Sequence, residues 1–256
     1  MDLPNEDLRD RLNALVRHLK FSCVPFRGYY RLRAHKYMRL IDREMGLLKF
    51  LVDPAAPSVD VGANLGIFTY FLARYSPVVY AFEPNPIPFS VLQRLKDANV
   101  ILQQIALTDH SGEVELVVPK GRKGWTNNGA GLGLRREGRH ALVKVPGRRL
   151  DDLGLDRIGF IKIDVEGHEL QVLQGATETL TRHRPNLFLE NEYAHAGDAA
   201  HQVFALLRAL DYDGFFLADG VLRNISTFSF EEYQLQPRQD PRLRARYVKN
   251  FVFLPR

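Results

Sequence analysis

The 256-residue chain has one cysteine, Cys23, and one tryptophan, Trp125. A single thiol cannot close an internal disulfide, so a packed core must hold the fold, and a reducing compartment fits. No run of 18 apolar residues is present, which excludes an ordinary membrane-spanning helix. The opening MDLPNEDLRD is acidic and polar, without the basic and apolar regions of a secretory signal, and a cytoplasmic location is expected. HExxH and paired-cysteine spacings are missing, which argues against zinc, and no metal site is expected. The dinucleotide fingerprint GxGxxG is missing too, as is any recognisable RNA- or DNA-binding motif. What is present is ordinary globular composition, 45% hydrophobic and 25% charged, at a length that suits one α/β domain.

The formal charge of +5 is unevenly spread. Residues 1–50 carry +5, residues 119–149 carry +8 and residues 238–256 carry +5, which leaves the rest of the chain at −13. Basic segments of this kind suit nucleic acid, an anionic membrane surface or an acidic ligand, against the plainer reading of solvated faces. The acidic remainder is where the chemistry-bearing motifs fall.

Residues 7–20 read as a basic amphipathic helix, with Leu8, Leu12, Leu15, Val16 and Leu19 at helical spacing, of a type that can rest on a membrane surface. Pro25 and Gly28 are expected to break the chain, and 36–51 to be helical again, so that 1–57 forms a helical extension. From residue 58 strands and helices alternate to the end, as one domain over 58–256. This order predicts a mainly parallel sheet with helices on both faces and an antiparallel edge from 214–218 and 247–254. EVELVVP and ALVKVPG read as strands, residues 119–140 between them as a loop or loose hairpin, and the basic 119–149 segment, with seven glycines, as a substrate loop. Ligands of such sheets sit beyond the carboxyl ends of the strands, which directs attention to four segments.

VDVGANLG at 59–66 is a glycine turn between strand and helix, where Gly62 permits close backbone approach and Gly66 opens the helix. Asp60 at its start suits a cationic ligand better than a pyrophosphate. Glu83 ends the second strand, where a carboxylate can accept two hydrogen bonds from a ribose diol. IKIDVEGHE at 161–169 interrupts an apolar strand with Lys162, Asp164 and Glu166, charges that are costly to bury unpaired. Lys162 suits a structural ion pair, whereas Asp164, Glu166 and His168 fall at the ligand end. Glu190 ends the strand NLFLE and either orients a substrate hydroxyl or pairs with Lys162, while Glu192 is expected to be solvated.

VDVGANLGIFT, AFEPNP, ALTD at 106–109, RLDDL at 149–153, IKIDVEGHELQVLQGA and RPNLFLENE, in this order over about 58–195, resemble the FkbM family of S-adenosylmethionine-dependent methyltransferases. The resemblance implies a class I, Rossmann-like methyltransferase fold with a seven-stranded sheet, and O-methylation of a hydroxyl on a glycan or secondary metabolite. It places Asp60, Gly62, Asn64 and Gly66 on the cofactor's first motif. Glu83, with Asn85 beside it, falls on the ribose acid, and Ala106 and Leu107 fall near the adenine edge. Asp164, Glu166 and Gly167 lie on the DVEG signature, where His168 replaces a residue that is often small. Methyl transfer aligns a poorly nucleophilic hydroxyl with an electrophilic methyl, so a general base is required, and Asp164, His168 and Glu190 are the candidates. Trp125, Arg135 and Glu166 are candidate contacts to the acceptor, a small molecule or glycan for which the basic segments allow an anionic or lipid-linked form, with peripheral membrane contact. Competing classes are a nicotinamide-dependent oxidoreductase on a similar sheet and a non-catalytic nucleic-acid-binding module; nucleic acid is not the expected partner.

Overall fold

A computed structural model describes residues 26–40, 43–95, 97–121, 124–125, 130–132 and 140–256. The amphipathic segment 7–20, Cys23, Arg135, Arg136 and Arg139 lie outside the described residues, and so does the side chain of Trp125. Among the described residues, no helix is long and apolar enough to cross a membrane.

The central sheet has eight strands. They are β1 (Ser58–Val61), β2 (Val79–Phe82), β3 (Val100–Gln103), β9 (Phe160–Ile163), β10 (Asn186–Glu190), β11 (Tyr212–Ala218), β12 (Val221–Asn224) and β13 (Asn250–Pro255). Their spatial order is β12-β11-β13-β10-β9-β1-β2-β3. The strands β3, β2, β1, β9 and β10 run parallel, and β13 runs antiparallel to both β10 and β11. The expected seven strands and antiparallel edge are therefore present, and β12 adds an eighth as a hairpin on β11. Nothing in VLRN announces that strand, since all four residues are exposed and no burial imposes a period of two.

The strands at the centre are buried on both faces, which explains their mainly apolar runs, broken in β1 by Ser58 and Asp60 and in β9 by Lys162. One face packs on the helices Glu169–Gln174, Thr177–His183 and Ala199–Ala209 through Leu173, Leu180, Val203 and Leu207. The other packs on the helix Ile67–Tyr75 and on N-terminal elements through Phe71, Leu72, Ala34 and Leu48. The N-terminal reading needs correction. A helix spans Phe26–Leu40, starting directly after Pro25 and holding Gly28 in its first turn, and 36–51 is divided among its end, a 3₁₀ turn at Arg43–Leu47 and a short helix at Leu48–Leu51. Proline is well tolerated at a helix start, and one glycine costs only about 1 kcal/mol.

A second, smaller sheet stands over the carboxyl end of the first. Its strands are β4 (Ala106–Leu107), β5 (Gly112–Gly121), β6 (Gly124–Trp125), β7 (Gly131–Leu132) and β8 (His140–Arg148). β5 and β8 pair antiparallel from Gly112–Gly147 to Pro119–His140, as the strands expected at EVELVVP and ALVKVPG, so of the 119–149 substrate loop the part His140–Arg148 is strand.

Candidate active site

Beyond the carboxyl ends of β1, β2, β9 and β10 lies a cavity of about 290 Å³, close to the lower limit of about 300 Å³ for small-ligand sites. Its walls are built from the four segments singled out in the sequence, together with Tyr37, the strip Ile105–Leu107, residues of the second sheet and Lys249.

The floor is an ion pair. Lys162, 2% exposed in the middle of β9, places its Nζ 3.3 Å from Oδ1 of Asp60 on the adjacent β1 and 3.6 Å from Oδ2 of Asp164. It also donates to the carbonyl of Gly62 at 2.8 Å, and Thr69 Oγ1 donates to Asp60 Oδ2 at 2.6 Å. Burial alone would lower the lysine's pKa, but Asp60 and Asp164 outweigh it and hold the ammonium charged, above its ordinary range. Asp60 is fully buried and does not line the cavity, so it shapes the glycine turn from beneath. Gly62 lines the cavity with its backbone, and packing by itself already requires the glycine. At φ +71 its added Cβ would stand 1.9 Å from the carbonyl oxygen of Asp164. Gly66, at φ +80, is likewise required by packing, since a Cβ would meet Leu92 at 2.3 Å and the Tyr30 hydroxyl at 3.0 Å.

Glu83 faces the cavity from the end of β2 and is 6% exposed. One carboxylate oxygen accepts from the N–H of Asn64 at 2.7 Å and the other from the N–H of Asn85 at 2.8 Å. Burial pushes its pKa up to about 7 in spite of these two donors. Asn64, in the left-handed region at φ 49, lines the cavity. Asn85 does not; it is 1% exposed, and its Oδ1 accepts from the N–H of Ile87 to start the helix Pro86–Leu95. Ile105, Ala106 and Leu107 form an apolar strip beside Glu83, roofed by Leu116 of β5 and by Gly131 and Leu132 of β7.

At the other end stand the candidate bases. Asp164, Glu166, His168 and Glu190 all line the cavity. Glu190 accepts from Lys249 Nζ at 2.5 Å, and this lysine from the last loop replaces the pairing with Lys162 considered from sequence. Burial, reinforced by Asp164, raises the Glu190 pKa well above the ordinary carboxylate range. His168 Nε2 lies 2.9 Å from Thr108 Oγ1, whose hydroxyl donates to Asp109. This relay fits Nε2–H as the donor from His168, with Nδ1 bare. Burial lowers the His168 pKa to about 4, so the ring is neutral at pH 7. Glu166, held at φ 56, meets Nδ1 of His195 at 3.1 Å.

Glu192 is not solvated as expected. It lines the cavity, accepts from the Tyr247 hydroxyl and lies 3.5 Å from Arg238. Tyr37 and Lys249 are cavity residues that the sequence left unmarked, and Arg238 and Tyr247 reach the site only through Glu192. They come from segments with no recurring strand–helix signature, so only the tertiary fold brings them to the site. Among the described residues, no group of three or more His, Cys, Asp or Glu side chains is arranged to hold a metal ion.

A doubly wound sheet with an antiparallel seventh strand, a glycine turn after β1 and an acid ending β2 define the class I methyltransferase fold. Residues 60–213 match the methyltransferase FkbM domain, and the chain belongs to that family. It is 32% identical to methyltransferase sdnD of Sordaria araneosa, over 47% of this chain and 60% of that protein. It is 31% identical to hexuronic acid methyltransferase AglP of Haloferax volcanii, over 47% of this chain and 50% of that protein. With 2-O-methyltransferase NoeI of Sinorhizobium fredii it shares 27% identity, over 58% and 67%. The match thus spans about half to two thirds of these relatives. The crystal structure of methyltransferase FkbM from Methylobacillus flagellatus KT superposes with a TM-score of 0.52 at 21% identity, over 97% of this chain and 55% of that one, which shows a shared fold.

Proposed function

We propose that the protein is an S-adenosylmethionine-dependent O-methyltransferase that acts on a hydroxyl of a glycan or secondary metabolite. The observation that carries this reading is a single cavity with Glu83 at one end and the Asp164–Glu190 pair at the other. When bound, S-adenosylmethionine supplies an electrophilic methyl group on a sulfonium. The residues present fit it. Each Glu83 oxygen receives one N–H and keeps a lone pair for a ribose diol, and the strip Ile105–Leu107 suits a flat ring. Five carboxylates, Glu83, Asp164, Glu166, Glu190 and Glu192, line the cavity against Lys249, a balance that favours a cation.

Glu190 takes the acceptor proton. Burial raises its pKa above the ordinary carboxylate range, which makes its ionised form a stronger base. Lys249 fixes its orientation, and Asp164 is placed to accept from a second hydroxyl of the acceptor, since the reacting one gives its only proton to Glu190. His168, with a pKa near 4, is a weak base and serves as a hydrogen-bonding wall. The names of AglP and NoeI support a hydroxyl on a sugar as the acceptor. The reacting end of that acceptor is neutral, because the cavity would repel an anion. Any acidic or lipid-linked group belongs outside, beside the basic 119–149 segment, where Trp125 and Arg135 remain the proposed contacts.

An acceptor screen that detects S-adenosylhomocysteine tests the reading. Glu190→Gln is expected to lower kcat at least about 100-fold with cofactor affinity within threefold, the range for losing a general base. Unchanged kcat would remove Glu190 from the mechanism.

A further inference from the structure

The family match begins at residue 60, yet the helix Phe26–Leu40 reaches the site from outside it. Tyr30, Ala34 and Tyr37 recur at positions i, i+4 and i+7, which places them on one helical face. That face lies on the helix Ile67–Tyr75. Ala34 is fully buried in the core shared with Phe68, Phe71 and Leu72, and the rings of Tyr30 and Tyr70 meet edge-on at 5.8 Å. Tyr30, 7% exposed, donates its hydroxyl to the carbonyl of Leu65 at 2.6 Å, and the same hydroxyl stands against Gly66. Leu65 and Gly66 close the turn whose Asn64 N–H binds Glu83 and whose backbone lines the cavity. Two turns along the helix from Tyr30, Tyr37 is itself part of the cavity wall.

We propose that this helix is an integral part of the cofactor site, in which Tyr30 is a positioning residue that latches the turn 62–66 and Tyr37 is a wall residue that contacts the bound nucleoside-type ligand. The helix supplies what the family segment lacks. The Leu65 carbonyl is a part-buried acceptor with the Tyr30 hydroxyl as its donor, and removing that donor loosens the turn. The loss falls on the turn because Tyr30 keeps its ring packing when only the hydroxyl is removed. The proposal rests on the methyltransferase reading for the identity of the ligand, but not for the latch.

The test combines titration calorimetry with S-adenosylhomocysteine and amide hydrogen exchange on the ligand-free full-length protein, for wild type, Tyr30→Phe, Tyr37→Phe and Tyr37→Ala. Tyr30→Phe is expected to speed exchange at residues 62–66 about fivefold or more and to weaken binding about five- to tenfold. Tyr37→Ala is expected to weaken binding by a similar factor with exchange at 62–66 unchanged, and Tyr37→Phe to restore most of it. If Tyr37→Ala fails to fold, Tyr37→Leu replaces it. Binding within twofold of wild type in both Tyr30→Phe and Tyr37→Ala (or Tyr37→Leu) overturns the proposal. If wild type itself does not bind, the methyltransferase reading fails, and exchange decides the latch alone. Unchanged exchange at 62–66 in Tyr30→Phe overturns it.

Discussion

At the scale of single residues, the charges inside β9 and β1 separate structure from chemistry. Lys162 and Asp60 are both buried, and removing the lysine leaves the Asp60 carboxylate without its cation, whereas Lys162 keeps Asp164 when Asp60 is removed. Lys162→Met is expected to lose about 3–5 kcal/mol of stability in urea denaturation, and the double change Asp60→Asn with Lys162→Met to lose less than Lys162→Met alone. A loss below about 0.5 kcal/mol in the single variant would show the pair to be dispensable. Glu83 makes a pH-dependent prediction. Burial raises its carboxyl from 4.5 to about 7, so the fold binds more protons than the unfolded chain between those values. Its contribution to stability is full below pH 4.5 and is lost as pH rises through 7. Cofactor binding needs the ionised carboxylate as a double acceptor and runs the other way, weakening as pH falls below 7. Titrations from pH 5.5 to 8.5 check this, and Glu83→Gln is expected to flatten the profile. At this scale the sequence was partly legible: Gly62 lines the cavity while Asp60 and Gly66 lie beneath or beside it, and the crossing of their turn with Asp164, Leu92 and Tyr30 is a tertiary fact.

At the scale of elements, the central strands were legible because each is buried on both faces and needs an apolar run with little choice of residue. β12 was not, as its side chains are all exposed. The strands flanking 119–140 were legible in EVELVVP and ALVKVPG, and β5 and β8 pair there as a ribbon. Leu116, 2% exposed in that ribbon, packs with Val118, Ala141 and Val145 and also roofs the cavity. Leu116→Ala is expected to cost about 2–4 kcal/mol by leaving a void, and to weaken cofactor affinity several-fold because the roof loses contact. Stability loss without any change in affinity would show that the ribbon merely covers the sheet. The short helix Tyr193–Ala196 makes the same point from the other side. It delivers His195 to Glu166 and its backbone against Gly167, an arrangement that no local pattern announces.

At the scale of the whole molecule, the uneven charge of the sequence has a spatial meaning. The carboxylates of the acidic central segments converge on one cavity, whereas Lys249 and Arg238, from the basic C-terminal segment, come in to hold Glu190 and Glu192. Basicity therefore does not point to nucleic acid in the first place; part of it sets the carboxylates of the site. The central claim is that this cavity binds S-adenosylmethionine through Glu83. Isothermal titration of the folded protein with S-adenosylmethionine at pH 8 tests it most directly. Saturable one-site binding in the micromolar-to-millimolar range, weakened at least tenfold by Glu83→Ala, is the predicted result. No binding by folded wild type, or equal affinity in Glu83→Ala, would contradict it.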